Sequence, residues 1–139
     1  MVCVGGDRLQ MALHWVIDSR ERLMTAVAEG GVSKEEANAY LDAMLGARAD
    51  SYRRLFDGSA GEPLMDEQDI MGLAVRMRGI QQGGQPGPLA IVMPRAKHEQ
   101  FARMLGILAV PDRPIRFFSD PAAARAWLDE PQVREWSKR

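Results

Sequence analysis

Apolar and polar residues alternate near the start of the chain, where every odd position from residue 9 to 17 is apolar. A period of two is typical of a strand with one buried face. Residues 18–21 are polar, and residues 23–28 are again mostly apolar. We therefore predict an antiparallel hairpin whose second strand ends at Gly30 and Gly31.

A capping box marks the start of the first helix. The Ser33 hydroxyl can accept a hydrogen bond from the backbone of Glu36, whose carboxylate can accept one from the backbone of Ser33. Apolar residues follow at helical spacing, namely Ala37, Tyr40, Leu41, Met44 and Leu45. This pattern predicts an amphipathic helix with one core-facing side.

The central part of the chain predicts a strand, a glycine-rich loop and a helix. Residues 52–56 are rich in aromatic and apolar side chains, which favours a short strand. We expect the glycines and the proline of residues 57–65 to end it. Asp66 then predicts the N-cap of a second helix. The apolar face of that helix would consist of Ile70, Leu73, Ala74 and Met77.

Two further strands and a third helix are predicted after a polar loop at residues 81–88. Residues 89–93 form a continuous apolar run between prolines, which is typical of a central strand buried on both faces. Residues 95–109 have the apolar spacing of a helix. Residues 115–118 have the composition of a last strand.

The end of the chain predicts one more helix. Asp120 followed by Pro121 is typical of an N-cap and a first helical residue, and we expect Pro131 to end this helix. Its inner face would consist of Ala124, Trp127 and Leu128. We expect residues 130–139 to form a polar C-terminal tail in which Trp136 docks.

The predicted order of elements is β-β-α-β-α-β-α-β-α. Strands that alternate with helices pair in parallel through right-handed crossovers, whereas the opening hairpin is antiparallel. We therefore predict an α/β fold in which a mixed five-stranded sheet is flanked by four helices. A chain of 139 residues is long enough for one such domain, with its core at about residues 9–129.

Charge and cysteine content exclude several classes of function. The formal charge of −1 provides no general attraction to nucleic acid or to an anionic membrane. Cys3 is the only cysteine, so neither an internal disulfide nor a multi-cysteine metal site can form. No apolar run has the length of a membrane span or of the apolar part of a signal peptide. We expect a cytoplasmic protein without a cofactor.

The order of elements resembles the STAS-like fold of the anti-sigma-factor antagonists over about residues 9–128. The resemblance is carried by the opening hairpin, by residues 30–33 before the first helix, by the strand, loop and helix of residues 55–69, and by the last strand and helix. It implies a bacterial, non-enzymatic regulatory or protein-interaction module.

The resemblance also bears on phosphorylation. In phosphorylated members of this family, the helix after the central strand opens with a serine that follows an aspartate. Here Asp66 matches the aspartate, but Glu67 and Gln68 occupy the positions where the serine would fall. The chain therefore resembles a divergent member without the phosphorylatable serine.

The segment of residues 57–69 is the first candidate site, because functional sites in open α/β sheets lie beyond the carboxyl ends of the strands. The resemblance implies that this face contacts a protein partner. The candidate partner-binding residues are Asp57, Ser59, Glu62, Asp66, Glu67 and Asp69. Helix capping and solvation are the alternative explanation of these carboxylates, whose spacing does not match a calcium loop.

No catalytic set is assembled in the sequence. Asp57 after a strand would suit a phosphoacceptor, but that chemistry needs an acidic pair and a nearby cation that the chain does not supply. Ser59 as a nucleophile would need a base, and we expect His14 and His98 to be surface or packing residues. We interpret four scattered arginines as solvated or snorkelling side chains. They are Arg53, Arg54, Arg76 and Arg78.

The alternative function is a small-molecule or lipid-binding domain. Its pocket would lie between the hairpin and the helices, lined by Trp15, Met24 and Phe56, because ligand pockets are mostly apolar. Trp15 is also a candidate exposed anchor for homodimerisation, since aromatic residues are enriched in interfaces.

Overall fold

The computed structural model describes residues 12–84, 86–100, 103 and 114–136 of the chain. In these residues five strands form one sheet, and the strands lie in the order in which they follow in the sequence. They are β1 (Leu13–Asp18), β2 (Leu23–Ser33), β3 (Arg53–Leu64), β4 (Leu89–Val92) and β5 (Ile115–Phe118). Only β1 and β2 pair antiparallel, whereas β2, β3, β4 and β5 pair in parallel. The predicted mixed five-stranded sheet is confirmed.

The helices of the described residues cover both faces of this sheet. They are α1 (Lys34–Gly46), α2 (Glu67–Gln82), α3 (Pro121–Leu128) and α4 (Pro131–Trp136). The predicted helix at residues 95–109 begins as a 3-10 turn at Arg95–Lys97 and is helical at residues 98–100 and 103, while its other residues lie outside the described part. No helix in the described ranges is long and apolar enough to cross a membrane.

The two faces of the sheet pack against different helices. One face packs against α1 through a cluster that includes Met24, Ala26, Tyr40, Leu41 and Met44. The other packs against α3 and α4 through a cluster that includes Leu55, Val92, Trp127, Leu128 and Val133. Strand β4 is buried along its whole length between β3 and β5, so the prediction of a central strand is confirmed.

Strands β2 and β3 are longer than predicted, which corrects the expected loop. Strand β2 continues through Gly30, which has a φ of 92° that glycine adopts without strain. Strand β3 continues through both of its glycines and through Pro63, which pairs with Val32. Strand β4 pairs with β3 only as far as Asp57, so Pro63 lies where β3 has a partner on one side, and proline is tolerated there.

The end of the chain also differs from the prediction of a polar tail. Pro131 begins the helix α4 instead of only ending α3, because proline is well suited to the first turn of a helix. Val133 of α4 is buried. The indole Nε1 of Trp136 donates a hydrogen bond to the carbonyl of Pro86 at 3.0 Å, so the expected docking of Trp136 is found.

Candidate functional site

A cavity of about 440 Å³ lies between helices α1 and α2 and the sheet face that they cover. Its volume is in the range of small-molecule sites. The helices contribute Tyr40, Leu41, Ile70, Leu73, Ala74 and Met77 to the lining, and the strands contribute Leu13, Val32, Phe56, Leu89 and Ile91. The cavity is therefore lined mainly by aliphatic and aromatic side chains.

Small residues at several lining positions leave this space open. Ala37 of α1 and Ala74 of α2 face the cavity with a single methyl group each. Ala28 of β2, with Gly58 and Gly61 of β3, lines the opposite wall. Larger side chains at these positions would occupy part of the space.

One charged side chain lies buried in the cavity wall. Arg54 of β3 is 4% exposed and lines the cavity. Its Nη1 donates to the sulfur of Met44 at 2.8 Å, and its Nε is buried without a hydrogen-bond partner in the described residues. A thioether is a weak acceptor, so the guanidinium charge has no strong partner there.

The preceding residue, Arg53, is buried on the other face of the sheet, and both of its terminal nitrogens have oxygen acceptors. It is 1% exposed, and its Nη1 donates to the Leu128 carbonyl and to the Asp129 carboxylate, both at 2.9 Å. Its Nη2 donates to the Glu21 carbonyl at 2.7 Å. The expectation that these two arginines are solvated or snorkelling is therefore wrong, because alternation along β3 directs one to each buried face.

The partners of Arg53 affect the titration of Asp129. Burial raises the pKa of the Asp129 carboxyl, but the hydrogen bond from Arg53 and the charge of Arg125 outweigh burial, so the pKa lies below its ordinary value. Asp129 also forms an ion pair with Arg125 at 3.3 Å. This cluster joins the β1–β2 turn to the end of α3, and it is structural.

The structure confirms only part of the predicted pocket lining. Phe56 lines the cavity. Met24 is fully buried in the core, and Trp15 packs edge-on against Tyr40 with ring centroids 5.9 Å apart. Neither residue is part of the described lining. Tyr40 contacts the rings of both Trp15 and Phe56, so it lies between Trp15 and the cavity.

Trp15 is also not the exposed anchor that the sequence suggested. It is half-buried, whereas its neighbour Val16 is 69% exposed on the opposite side of β1. Homodimerisation through the hairpin stays a prediction. If it occurs, Val16 is the exposed apolar residue of β1 that could form the contact.

The candidate acidic residues are engaged in local hydrogen bonds. The Asp57 carboxylate accepts from the backbone and the hydroxyl of Ser59, at 3.0 and 2.6 Å. Asp66 caps α2 by accepting from the backbone of Asp69 at 2.8 Å, and Asp69 accepts from the backbone of Asp66 at 3.3 Å. Glu67 is exposed. These residues lie along β3 and the start of α2 and do not form one loop.

Glu62 differs from the other acidic candidates because it lies at the rim of the cavity, where it is exposed. Lys97 and Gln100 are exposed lining residues as well. Within the described ranges, no group of three or more histidine, cysteine, aspartate or glutamate side chains is placed to hold a metal ion.

Neither histidine shares a hydrogen bond with Ser59 in the described residues. His14 is exposed on β1. The Nε2 of His98 donates to the Met93 carbonyl at 2.8 Å, and its ring lies 5.5 Å from that of Phe117. In the described residues no hydrogen bond joins Ser59 to either histidine, and the Ser59 hydroxyl donates to Asp57.

Arg76 holds together the two helices that form the cavity wall. Its Nη1 donates to the side-chain oxygen of Asn38 on α1 at 2.6 Å, and its Nη2 forms an ion pair with Asp42. Arg76 is thus partly exposed and also pairs with α1, which the sequence interpretation did not include, while Arg78 is exposed as expected.

Sequence reasoning missed Arg54 as a site residue. The available signal was the strand prediction itself. A strand at residues 52–56 that is covered on both faces buries consecutive side chains on opposite sides. Two adjacent arginines in such a strand are therefore both buried, and each needs hydrogen-bond acceptors on its own face. The positions of the carboxylates that satisfy Arg53 are set by tertiary contacts and could not be predicted.

Scanned against models of known protein families, the chain matches none, and a comparison with curated proteins also gives no match. Solved structures show similarity at the level of the fold. An uncharacterized protein of the DUF3478 family with a SpoIIAA-like fold, from Shewanella loihica PV-4, is 18% identical, with a TM-score of 0.59 over 84% of this chain and 94% of that chain.

A second similar structure is an anti-sigma factor antagonist from Mycobacterium paratuberculosis. It is 16% identical, with a TM-score of 0.53 over 85% of this chain and 95% of that chain. Both comparisons cover nearly the whole of the other protein. The chain has the SpoIIAA-like fold, and the expected STAS-like architecture is confirmed.

Proposed function

We propose that this STAS-like domain is a non-enzymatic module that binds a small apolar molecule in the cavity between α1, α2 and the sheet. The observation that supports the proposal is the cavity of about 440 Å³ with its largely apolar lining. Burying apolar ligand surface there would contribute about 25 cal/mol per Å². An apolar ligand would also supply the contacts that an empty cavity lacks.

A regulatory role of the bound state is part of the proposal. One similar structure is an anti-sigma factor antagonist, and this supports a regulatory module by analogy of fold. The cavity is suited to such a role because α1 and α2 form its wall and also carry part of the surface. Occupation of the cavity would then favour one position of these helices.

A pair of neighbouring substitutions tests the cavity. Ala74 is buried and lines the cavity, whereas Val75 is 63% exposed and is not part of the lining. We expect Ala74→Phe to fill the cavity and Val75→Phe to leave it open. Decanol, a neutral apolar probe, should raise the melting temperature of the wild type and of Val75→Phe, but not that of Ala74→Phe.

The outcome that rejects the proposal is simple to recognise. If neither decanol nor decanoate raises the melting temperature of the wild type, and native mass spectrometry finds neither molecule bound, the cavity is not a binding site. Equal shifts in wild type and Ala74→Phe would locate binding elsewhere and would also reject it.

The second candidate function is protein contact at the start of α2. Glu67, Met71 and Val75 are spaced four residues apart, so they lie along one side of the helix. Met71 is 54% and Val75 is 63% exposed, and Leu64 at the end of β3 is 63% exposed. An acidic residue beside exposed apolar side chains favours a partner with a basic and apolar surface.

This second candidate needs a variant that leaves helix α2 intact. Asp66 is the N-cap of α2, so replacing it would also destabilise the helix. We would use Glu67→Lys with Met71→Ser, and compare it with the control Arg78→Ser on the exposed surface of the same helix. Partner capture that is the same for wild type and both variants would remove this surface as a contact site.

A further inference from the structure

We infer that the ligand of the cavity is a monocarboxylate with an apolar body, whose carboxylate pairs with Arg54. This inference rests on the proposed function, because it assigns a chemical class to the molecule that the cavity binds. It is carried by the juxtaposition of a buried, poorly partnered guanidinium with an apolar cavity.

The first step concerns the state of Arg54 in the empty cavity. An arginine keeps its charge at physiological pH, and buried charges in proteins are normally paired. Arg54 is 4% exposed, yet no carboxylate in the described residues lies within ion-pair distance of it. Its Nε is buried with no partner there, and its Nη1 contacts only a thioether sulfur. Such a group gains strongly from an added acceptor.

The second step is the contrast with Arg53, which shows how this chain satisfies a buried arginine when it needs to. Arg53 has the Asp129 carboxylate at 2.9 Å and two backbone carbonyls within hydrogen-bond distance. Arg54 has no equivalent acceptors in the described part of the chain. A ligand carboxylate would fill this role, since a guanidinium and a carboxylate can form two parallel hydrogen bonds.

The third step concerns the body of the ligand. Arg54 lies near the amino end of β3, where it pairs with Leu89, the first residue of β4. Gly58 lies four residues further along β3, which is about 13 Å at 3.3 Å per residue. Both residues line the same cavity, and Phe56 lies between them. An unbranched apolar chain that starts at Arg54 can therefore extend along the strand toward the rim.

The fourth step selects a monoanion. Lys97 is the other cationic residue of the described lining, but it is exposed and lies at the rim together with the carboxylate of Glu62. The buried end of the cavity thus provides one positive charge. A second negative charge on the ligand would be buried without a partner, which is costly. A carboxylate matches this arrangement better than a phosphate dianion.

Two probes of equal chain length test the inference. Decanoate and decanol have the same alkyl chain and differ in the head group, so the ratio of their affinities isolates the contribution of the carboxylate. We expect wild-type protein to bind decanoate at least about tenfold more tightly than decanol by isothermal titration calorimetry, since a hydrogen bond to a charged group is worth about one decade or more.

Variants of Arg54 assign that ratio to the guanidinium. Arg54→Met should bring the ratio to about one while decanol still binds, because its apolar side chain preserves the volume. Arg54→Gln is a second variant with the same expected loss of preference. Arg78→Gln is the control, because Arg78 is exposed and outside the described lining, and it should keep the ratio of the wild type. Melting temperatures show which variants are folded.

Each outcome decides between the inference and the proposed function. If wild-type protein binds decanol as tightly as decanoate, the inference is wrong and the apolar site survives, and this result needs no variant. If the preference for decanoate persists in Arg54→Met or Arg54→Gln, the head group lies elsewhere and the inference is also wrong. If neither probe binds to the wild type, the proposed function itself fails.

Discussion

Arg53 and Arg54 are consecutive residues of β3 that are both buried, on opposite faces of the sheet, and of the two only Arg53 has carboxylate partners in the described residues. The contrast separates two roles of a buried charge. Arg53 connects the β1–β2 turn to the end of α3. Arg54 lines the cavity and has an N–H group without a hydrogen-bond acceptor in the described residues. The same substitution at the two positions should therefore have different consequences.

We predict opposite effects of methionine at these two positions on the stability of the ligand-free protein. Arg53→Met removes the donor to the Leu128 and Glu21 carbonyls and to the Asp129 carboxylate, and it should lower the free energy of unfolding by about 3 kcal/mol. Arg54→Met replaces a poorly paired buried charge by an apolar side chain and should be neutral or stabilising. Urea unfolding of the three proteins measures both changes. A large loss of stability in Arg54→Met would show that Arg54 has a strong partner in the ligand-free state.

A second prediction concerns the pH dependence of stability. The pKa of Asp129 is lowered in the folded protein, so its contribution to stability is present above the pKa of the unfolded state and is lost as the pH falls through the folded value. Asp129→Asn lacks this contribution at every pH. The difference in melting temperature between wild type and Asp129→Asn should thus be largest near pH 7 and shrink below about pH 4.

Glu135→Gln is the control for this experiment, because Glu135 is an exposed acidic residue near the same end of the chain. As a surface substitution, it should change the melting temperature little when both proteins are measured from about pH 7 to about pH 3. A constant difference for Asp129→Asn over this range would contradict the assigned role of Asp129.

A third prediction compares the two capping boxes. Glu36 and Asp69 are each the third residue of a helix and accept from the N-cap backbone. Glu36 also accepts from the backbone of Ala12 at 2.6 Å and of Leu13 at 3.1 Å, so it fixes the start of β1. We expect Glu36→Ala to cost about 2 to 3 kcal/mol and Asp69→Ala about 1 kcal/mol. Equal losses in urea unfolding would mean that the contacts of Glu36 with β1 contribute nothing.

A fourth prediction compares two glycines. A Cβ atom at Gly87 would overlap the backbone carbonyl oxygens of Ser51 and Tyr52. Gly72 lies in α2, and a Cβ atom there would meet open space. Gly87→Ala should therefore destabilise the protein, whereas Gly72→Ala should stabilise it by about 1 kcal/mol through its higher helix propensity. Thermal unfolding of both variants tests the prediction, and a harmless Gly87→Ala would contradict the close approach.

Much of the fold is predictable from the sequence because local signals agree with each other. The alternation in β1, the capping box at Ser33 and Glu36, and the continuous apolar run of β4 each indicate one type of element. Their order then leaves few topologies for a parallel sheet with short connections.

Two features were not predictable in this way. Pro63 and the glycines near it are typical of a strand end, yet β3 continues through them. Proline is tolerated there because β4 pairs with β3 only as far as Asp57, and the sequence does not show where that pairing ends. The cavity was expected near Trp15 and Met24, but those side chains fill the core instead. Packing between distant elements decides whether an apolar side chain fills the core or lines a cavity. The periodicity of the sequence does not distinguish these two cases.

The pairing of β2 with β3 contains an irregularity between Val27 and Glu29, where β3 has one more residue than β2. The extra residue shifts the phase of the side chains along β3. Up to Gly58 the even positions face the cavity, and after the shift Gly61, Pro63 and Met65 line it, with Glu62 at the rim. Deletion of Ser59 would leave one β3 residue opposite Ala28 and restore a regular ladder, in which Gly61 and Pro63 still face inward beside Gly30 and Val32. The bulge is therefore the place where β3 absorbs an extra residue while both of its halves keep one wall of the same enclosed space.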